Sequence, residues 1–299
     1  MLGAQPLRRA ARWFGRPRMG VSAVPGAPGP VRMFVLSVYF GPASKESGLF
    51  RVNLSRTSVR ESDGTARPYG RATAMWLTLC ACVVHGTPLH HRYVALRHGQ
   101  SEANVQGIIS SEPSVAVVQH GLSASGRAQA QKAGVALVEL AKASGCGLAV
   151  VTSDFKRALE TAQAVHEAAE RAGVPTWPSQ APQIEVRLRE RYFGEFNGES
   201  DDNYGRVWAE DAASAQHEAF GVESVESVVT RTGELLSDLD ASAALRGQEQ
   251  KWLVCLVAHG DVLQILQCAH FERQDPRLHR QLEHLPTATP RELGAASST

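Results

Sequence analysis

Beyond residue 92, short continuous apolar runs alternate with amphipathic stretches. YVAL at 93–96, LAVVT at 148–152 and WLVCLVA at 252–258 have strand length and no polar interruption, as expected of strands covered on both faces. IEVRL at 184–188 alternates and predicts a further strand. Between these runs, residues 123–143 set Ala130, Ala133, Leu137 and Leu140 along one helical side, with Ser123 as N-cap. Residues 154–172 predict a second helix, stopped by Gly173 and Pro175. Residues 225–239, and 261 to about 271, predict two more. Strands alternating with helices imply an α/β fold, a three-layer α/β/α sandwich around a mostly parallel central sheet. No internal repeat is visible.

Residues 1–90 follow no such pattern. Pro, Gly and Ala dominate 21–30, and 41–73 are largely polar, so little surface is available to offset the entropy of ordering. The apolar runs at 33–40 and 75–84 are shorter than the ~20 residues that cross a bilayer, so no transmembrane segment is expected. Charge separates the two parts further. Residues 1–71 carry 12 Lys/Arg against 3 Asp/Glu, and the remainder 19 against 27. Arg8, Arg9, Arg12, Arg16 and Arg18, interleaved with Leu2, Leu7, Trp13 and Phe14, resemble an organelle presequence. If the segment is one, the location is mitochondrion or plastid; otherwise it is cytoplasmic. The expected organisation is a basic, largely disordered extension over 1–90 and one catalytic domain over 91–295.

Hydrophobic residues make up 43% and charged residues 20% of the chain, enough for a sizeable core. The five cysteines (Cys80, Cys82, Cys146, Cys255 and Cys268) are odd in number and lack zinc-ligand spacing, so a reducing compartment fits best. His90 and His91 are adjacent and diverge in a strand, so they are not expected to form a metal pair. No metal and no cofactor are expected.

The candidate chemistry lies where the strands end, because reactive groups in such folds collect beyond the carboxyl edge of the sheet. YVAL runs into Arg97-His98-Gly99, and WLVCLVA into His259-Gly260-Asp261. LAVVT leads to Ser153 and, one helical turn later, Arg157. Two histidines and two arginines thus arrive at one edge. Arginine forks suit phosphate oxygens.

LRHGQSEAN at 96–104 resembles the signature of the histidine phosphatases, the superfamily that includes cofactor-dependent phosphoglycerate mutases. The likeness continues through GLSASGRAQA at 121–130, SDFKRALETA at 153–162, RLRERYFGEFNG at 187–198 and VAHG at 257–260. It implies a phosphoglycerate mutase-like fold over about residues 92–295 and a phosphohistidine intermediate on His98. Arg97, Arg157 and His259 would form the phosphate pocket, with Asn104, Ser110 and the backbone amide of Gly260 as weaker anion ligands. Glu190 would be the general acid and then the general base. Cationic neighbours should keep His98 neutral, and the resemblance implies a backbone carbonyl that sets its tautomer. Arg189 and Arg191 are expected to point away from Glu190.

Each residue has a plainer role open to it. Arg-His can end an ordinary surface turn, His259 can be a structural histidine, Arg157 can pair with Asp154 or Glu160, and RLRER can be a solvated face. Among related activities, hydrolysis is favoured over mutase transfer. Residues 199–220 hold Glu199, Asp201, Asp202, Glu210, Asp211 and Glu218 against Arg206 alone, a poor cradle for a second anion. The expected partner is a small phosphorylated substrate or a phosphoprotein. A noncatalytic relative that binds phosphorylated partners is the rival class, opposed by the retention of both His98 and Glu190. A serine hydrolase lacks its GxSxG elbow, and nucleic-acid binding has only the basic head to support it. A homodimer is left open.

Overall fold

The structure, a computed structural model, describes residues 89–242, 245 and 250–294. The expectations for the first 88 residues, including the apolar runs and Cys80 and Cys82, lie outside them. Strands β1 (Arg92–Arg97), β2 (Gly147–Thr152), β3 (Thr176–Trp177), β4 (Gln183–Ile184), β5 (Trp252–Ala258) and β6 (Arg291–Leu293) form one sheet. Its order is β3-β2-β5-β1-β6, with β4 also pairing β2. All pairings are parallel except β1 with β6. The helices are α1 (Glu102–Gln106), α2 (Pro113–Ala116), α3 (Ala124–Ala143), α4 (Lys156–Arg171), α5 (Tyr204–Ala213), α6 (Val225–Ala241) and α7 (Gly260–Leu266).

The continuous apolar runs became the central strands, because each buries both faces. Val94, Leu96, Val150, Cys255 and Val257 pack with Leu137 of α3 and Val165 of α4. Tyr93, Ala95, Val151 and Val254 pack on the other side with Leu235 and Leu236 of α6 and Leu263 of α7. Helix, sheet and helix therefore form the three expected layers. Ser123 caps α3 by accepting from the Gly126 amide at 3.0 Å. Where α3 meets α4, a Cβ on Gly134 would lie 2.8 Å from that of Ala168, so the small residue sets how closely the helices approach.

The stretch 184–188 departs from expectation. Pairing with β2 stops at Ile184, and Val186–Leu188 turns into a 3-10 helix. Ile184 and Val186 are both exposed, so the alternation has no apolar surface to cover and cannot hold a strand. Glu185 ends it by accepting from the Arg187 amide and guanidinium. The antiparallel β6 had no recognisable sequence signal; three residues are too few for a period. No helix among the described residues is long and apolar enough to cross a membrane.

Register matters most for function. Arg97 of β1 pairs with Ala258 of β5, and Thr152 of β2 with Val257. The ladder continues one step past the strands, through His98 N–H to the Ala258 carbonyl and Ser153 N–H to the Val257 carbonyl, each at 3.0 Å. Three strand ends thus stop level, side by side.

Candidate active site

His98, Arg157 and His259 are buried where those strand ends meet. The Nδ1 of His98 lies 2.7 Å from the Gly99 carbonyl, which accepts only from a protonated nitrogen. Nε2 therefore carries the lone pair, and it accepts from Arg157 Nε at 3.1 Å. The His259 ring stands edge-on to His98, with centroids 5.2 Å apart. Its Nε2 lies 3.0 Å from Ser153 Oγ, which already accepts from the Phe155 amide. The Ser153 hydroxyl proton is then free to point at Nε2, leaving the His259 proton on Nδ1. The two histidines then share one tautomer, each with its proton on Nδ1.

At these strand ends three buried donor nitrogens have no hydrogen-bond partner among the described residues: Arg97 Nε, Arg157 Nη1 and His259 Nδ1. Buried donors are normally satisfied, and leaving one without an acceptor costs roughly 1–3 kcal/mol. A set of them around one imidazole is suited to an anion. The remaining arms are fixed by backbone. Arg157 Nη2 donates to the Ser110 carbonyl at 2.9 Å, and Arg97 Nη1 to the Leu285 carbonyl at 3.3 Å. Gly260 lies against the Arg97 guanidinium, where a Cβ would be 3.4 Å from Nε. Arg157 does not pair with Asp154 or Glu160: Asp154 is held by Arg189, and Glu160 by the Leu122 amide.

Burial, followed by the charges of Arg157 and Arg97, holds His98 well below the ordinary histidine range, against the pull of the Gly99 carbonyl. Burial, Arg157 and His98 do the same to His259. Burial lowers Arg157 to about 10, partly offset by Glu190, so it stays charged near neutrality. Glu190 moves the other way. Burial and then the charge of Asp261 push it up to about 7, against Arg157, the Arg191 amide and Arg97. Arg189 and Arg191 do turn from it. Arg189 bridges to Asp154, and Arg191 lies on Asp211 and Asp261. A cleft of about 410 Å³ beside Glu190 is lined by Ser111, Pro113, Val186 and Tyr192, among others.

The weaker candidates are placed less simply. Ser110 contributes its carbonyl to Arg157, while its hydroxyl contacts His120 Nδ1 at 2.8 Å. Asn104 is exposed, and its side-chain oxygen accepts from the Ser101 amide at 3.1 Å, closing a capping box on α1. Of the other residues in the neighbourhood, Thr161 lies in the block at 153–162 without an assigned role, and His284, Tyr204 and Arg280 lie outside every block. His284 Nε2 meets Arg97 Nη1 at 3.0 Å, Thr161 Oγ1 accepts from the Gly99 amide at 3.1 Å, and Tyr204 is held above its usual range by burial and then by Glu190. Arg280 lies 3.7 Å over the Trp208 ring.

One cluster of potential metal ligands has no counterpart in the sequence motifs. Asp211, Asp261 and His279 bring potential ligand atoms within 4.8 Å of one another. Their spacing along the chain gives no hint of it. A cation is already there, however: the Arg191 guanidinium donates to both Asp211 oxygens at 2.7 Å. That donor set does not fit a metal ion as well.

The pattern of the histidine phosphatase superfamily, branch 1, matches residues 93–294. The chain belongs to that superfamily. It is 32% identical over 190 residues to a glucosyl-3-phosphoglycerate phosphatase of Mycolicibacterium vanbaalenii, covering 60% of this chain and 73% of that one. It is 29% identical over 179 residues to a 2,3-bisphosphoglycerate-dependent phosphoglycerate mutase of Xanthobacter autotrophicus, covering 58% and 77%. A solved mycobacterial glucosyl-3-phosphoglycerate phosphatase in complex with VO3 superimposes with a TM-score of 0.52 at 27% identity, over 68% of this chain and 92% of that one. This member of the superfamily is thus similar to phosphatases and to a mutase alike.

Proposed function

We propose that the protein hydrolyses a phosphate monoester through a phosphohistidine on His98, with Glu190 as general acid and then general base. The observation that carries this reading is the ring of buried donors without acceptors (Arg97 Nε, Arg157 Nη1, His259 Nδ1) around a neutral imidazole with its Nε2 lone pair free of a proton. In the first step His98 Nε2 attacks phosphorus while the P–O bond to the leaving group breaks. Arg157 Nε transfers its hydrogen bond from Nε2 to a phosphoryl oxygen, and Glu190 gives its proton to the departing oxygen. In the second step Glu190 takes a proton from water, whose oxygen attacks phosphorus and releases His98 neutral. An acid pushed up to about 7 suits both duties near neutral pH.

Water is the acceptor in this reading because the segment over the site offers little to hold a second phosphorylated molecule. Arg206, its one cation, lies over the Phe196 and Phe220 rings at 4.7 and 5.0 Å. The substrate class is a small phosphoester or a phosphorylated side chain whose leaving group occupies the cleft beside Glu190. Labelled substrate tests the proposal. Acid-labile, base-stable phosphoenzyme should form in the wild type and be absent from His98→Ala, with phosphate release across a panel of esters. Turnover without phosphoenzyme, or transfer to a second ester in preference to water, would overturn it.

A further inference from the structure

Arg191 follows the acid in sequence and is fully buried, with every part of its guanidinium engaged. Nε donates to the Glu223 carbonyl at 2.6 Å, Nη2 to Asp211 Oδ1 at 2.7 Å, and Nη1 to Asp211 Oδ2 at 2.7 Å and Asp261 Oδ2 at 3.3 Å. Its own backbone amide donates to Glu190 Oε1 at 3.0 Å. One residue therefore connects the Glu190 carboxyl to α5 through Asp211, to α7 through Asp261, and to the turn before α6. Asp261 stands two residues after His259 and takes a further bond, from Trp208 Nε1 at 3.0 Å. The same α7 that carries Asp261 begins at the edge holding His259.

We propose that Asp261 is a positioning residue for the reaction: through Arg191 it fixes the Glu190 carboxyl in place, and its own negative charge keeps that carboxyl protonated for donation. This rests on the assignment of Glu190 as the acid. Two carboxylates linked through one buried arginine compete for ionisation, and Asp261 has the stronger claim to its charge. Although burial works against it, His279, Arg191 and Arg280 hold Asp261 well below the ordinary carboxylate range. Glu190, with only a peptide N–H on its oxygen, is the one that keeps the proton. Glu112, Arg189, Glu223 and Arg231 share the wall of its cleft, and the groups coupled to Glu190 are Arg97 from β1, Arg157 from α4, Tyr204 from α5, Asp261 from α7 and Arg280 from the 3-10 helix Pro276–Gln281. Asp261 is the one anion among the coupled groups that is ionised throughout the working range.

The test uses the full chain and two variants of opposite sign. Asp261→Asn removes the negative charge, so Glu190 should ionise earlier and the high-pH limb of kcat/KM should move down by about one pH unit. Arg280→Gln removes a half-buried cation coupled to Glu190, so the same limb should move up. Each is measured with an alkyl phosphate, which needs a proton on its leaving oxygen, and with p-nitrophenyl phosphate, which scarcely does. In Asp261→Asn the alkyl-to-nitrophenyl rate ratio should fall by about tenfold, within the range that general acid catalysis supplies. Limbs that stay put, or that move the same way in both variants, would overturn the proposal, since mere structural damage has no reason to sort by charge. If Asp261→Asn does not fold, Arg280→Gln alone decides by the direction of its shift. A Glu190→Gln variant that leaves the leaving-group ratio at the wild-type value would sink the acid assignment itself, a result separate from either limb.

Discussion

The Nε of Arg157 lies 3.1 Å from Nε2 of His98, joining at one nitrogen two motifs that stand 59 residues apart. Both residues are buried, so the contact acts in a medium that screens it poorly. The arginine suppresses protonation of the histidine, and the histidine lone pair keeps the arginine aimed. The first step, reported by kcat/KM, should therefore persist well below pH 6.5 and fall when His98 takes up a proton. In Arg157→Gln the acid limb of kcat/KM should move toward the ordinary histidine value, because a cation that opposed protonation has gone. The rate at the optimum should fall by on the order of a hundredfold to a thousandfold, the loss typical of one oxyanion donor. A pH–rate profile of both proteins checks the two effects together.

Thr161 ties the same two motifs through backbone. Its hydroxyl accepts from the Gly99 amide at 3.1 Å and donates to the Arg157 carbonyl at 2.8 Å. Thr161→Val keeps the shape and removes both bonds, leaving a buried amide unsatisfied at a cost of about 1–3 kcal/mol. Lower kcat with an intact circular-dichroism spectrum is the expected result.

Gly126 is where α3 touches the loop that carries His98. A Cβ there would lie 1.9 Å from the Gln100 carbonyl oxygen, closer than any pair of atoms can tolerate without backbone movement. Gly126→Ala should cost about 3 kcal/mol or more, at the upper end of overpacking. The urea midpoint and the loss of phosphate release should report it together.

Asp211→Ala should be among the most destabilising changes in the α5 segment. It strips both bidentate bonds from a guanidinium that has no exposure to water. Removing one partner of a buried ion pair typically costs about 3–5 kcal/mol. Thermal unfolding against the wild type measures it.

A chain shortened to begin near residue 90 should match the full-length protein in kcat/KM for a small ester, because every donor assigned above lies after that point. Phosphate-release rates of the two chains, side by side, make the comparison.

How much of this was legible in residue order follows from the range of each signal. Strands whose apolar runs are buried on both faces write that burial into four or more consecutive letters, so β1, β2 and β5 were readable, and with them the layers and the edge where chemistry collects. The motif residues Arg97, His98, Arg157 and His259 were readable because each sits a fixed short step beyond such a strand. The stretch at 184–188 was misread because alternation records which side chains differ, not whether a surface is there to cover them. His284, Arg280 and Tyr204 gave no sign, since each enters the site from an element whose neighbours are decided by packing. The contacts of Arg191 with Asp211 and Asp261 were hidden for the same reason.

Residue order by itself determined the α/β class, the strands whose ends carry the chemistry and the identity of the groups that meet there, since local burial and short spacing carry that information. Tertiary structure alone decided the histidine tautomers, the donors left without acceptors and the buried charges around Glu190. Those depend on distances of about 3 Å between segments far apart in the chain, and hydrogen bonds and Coulomb forces are felt through space.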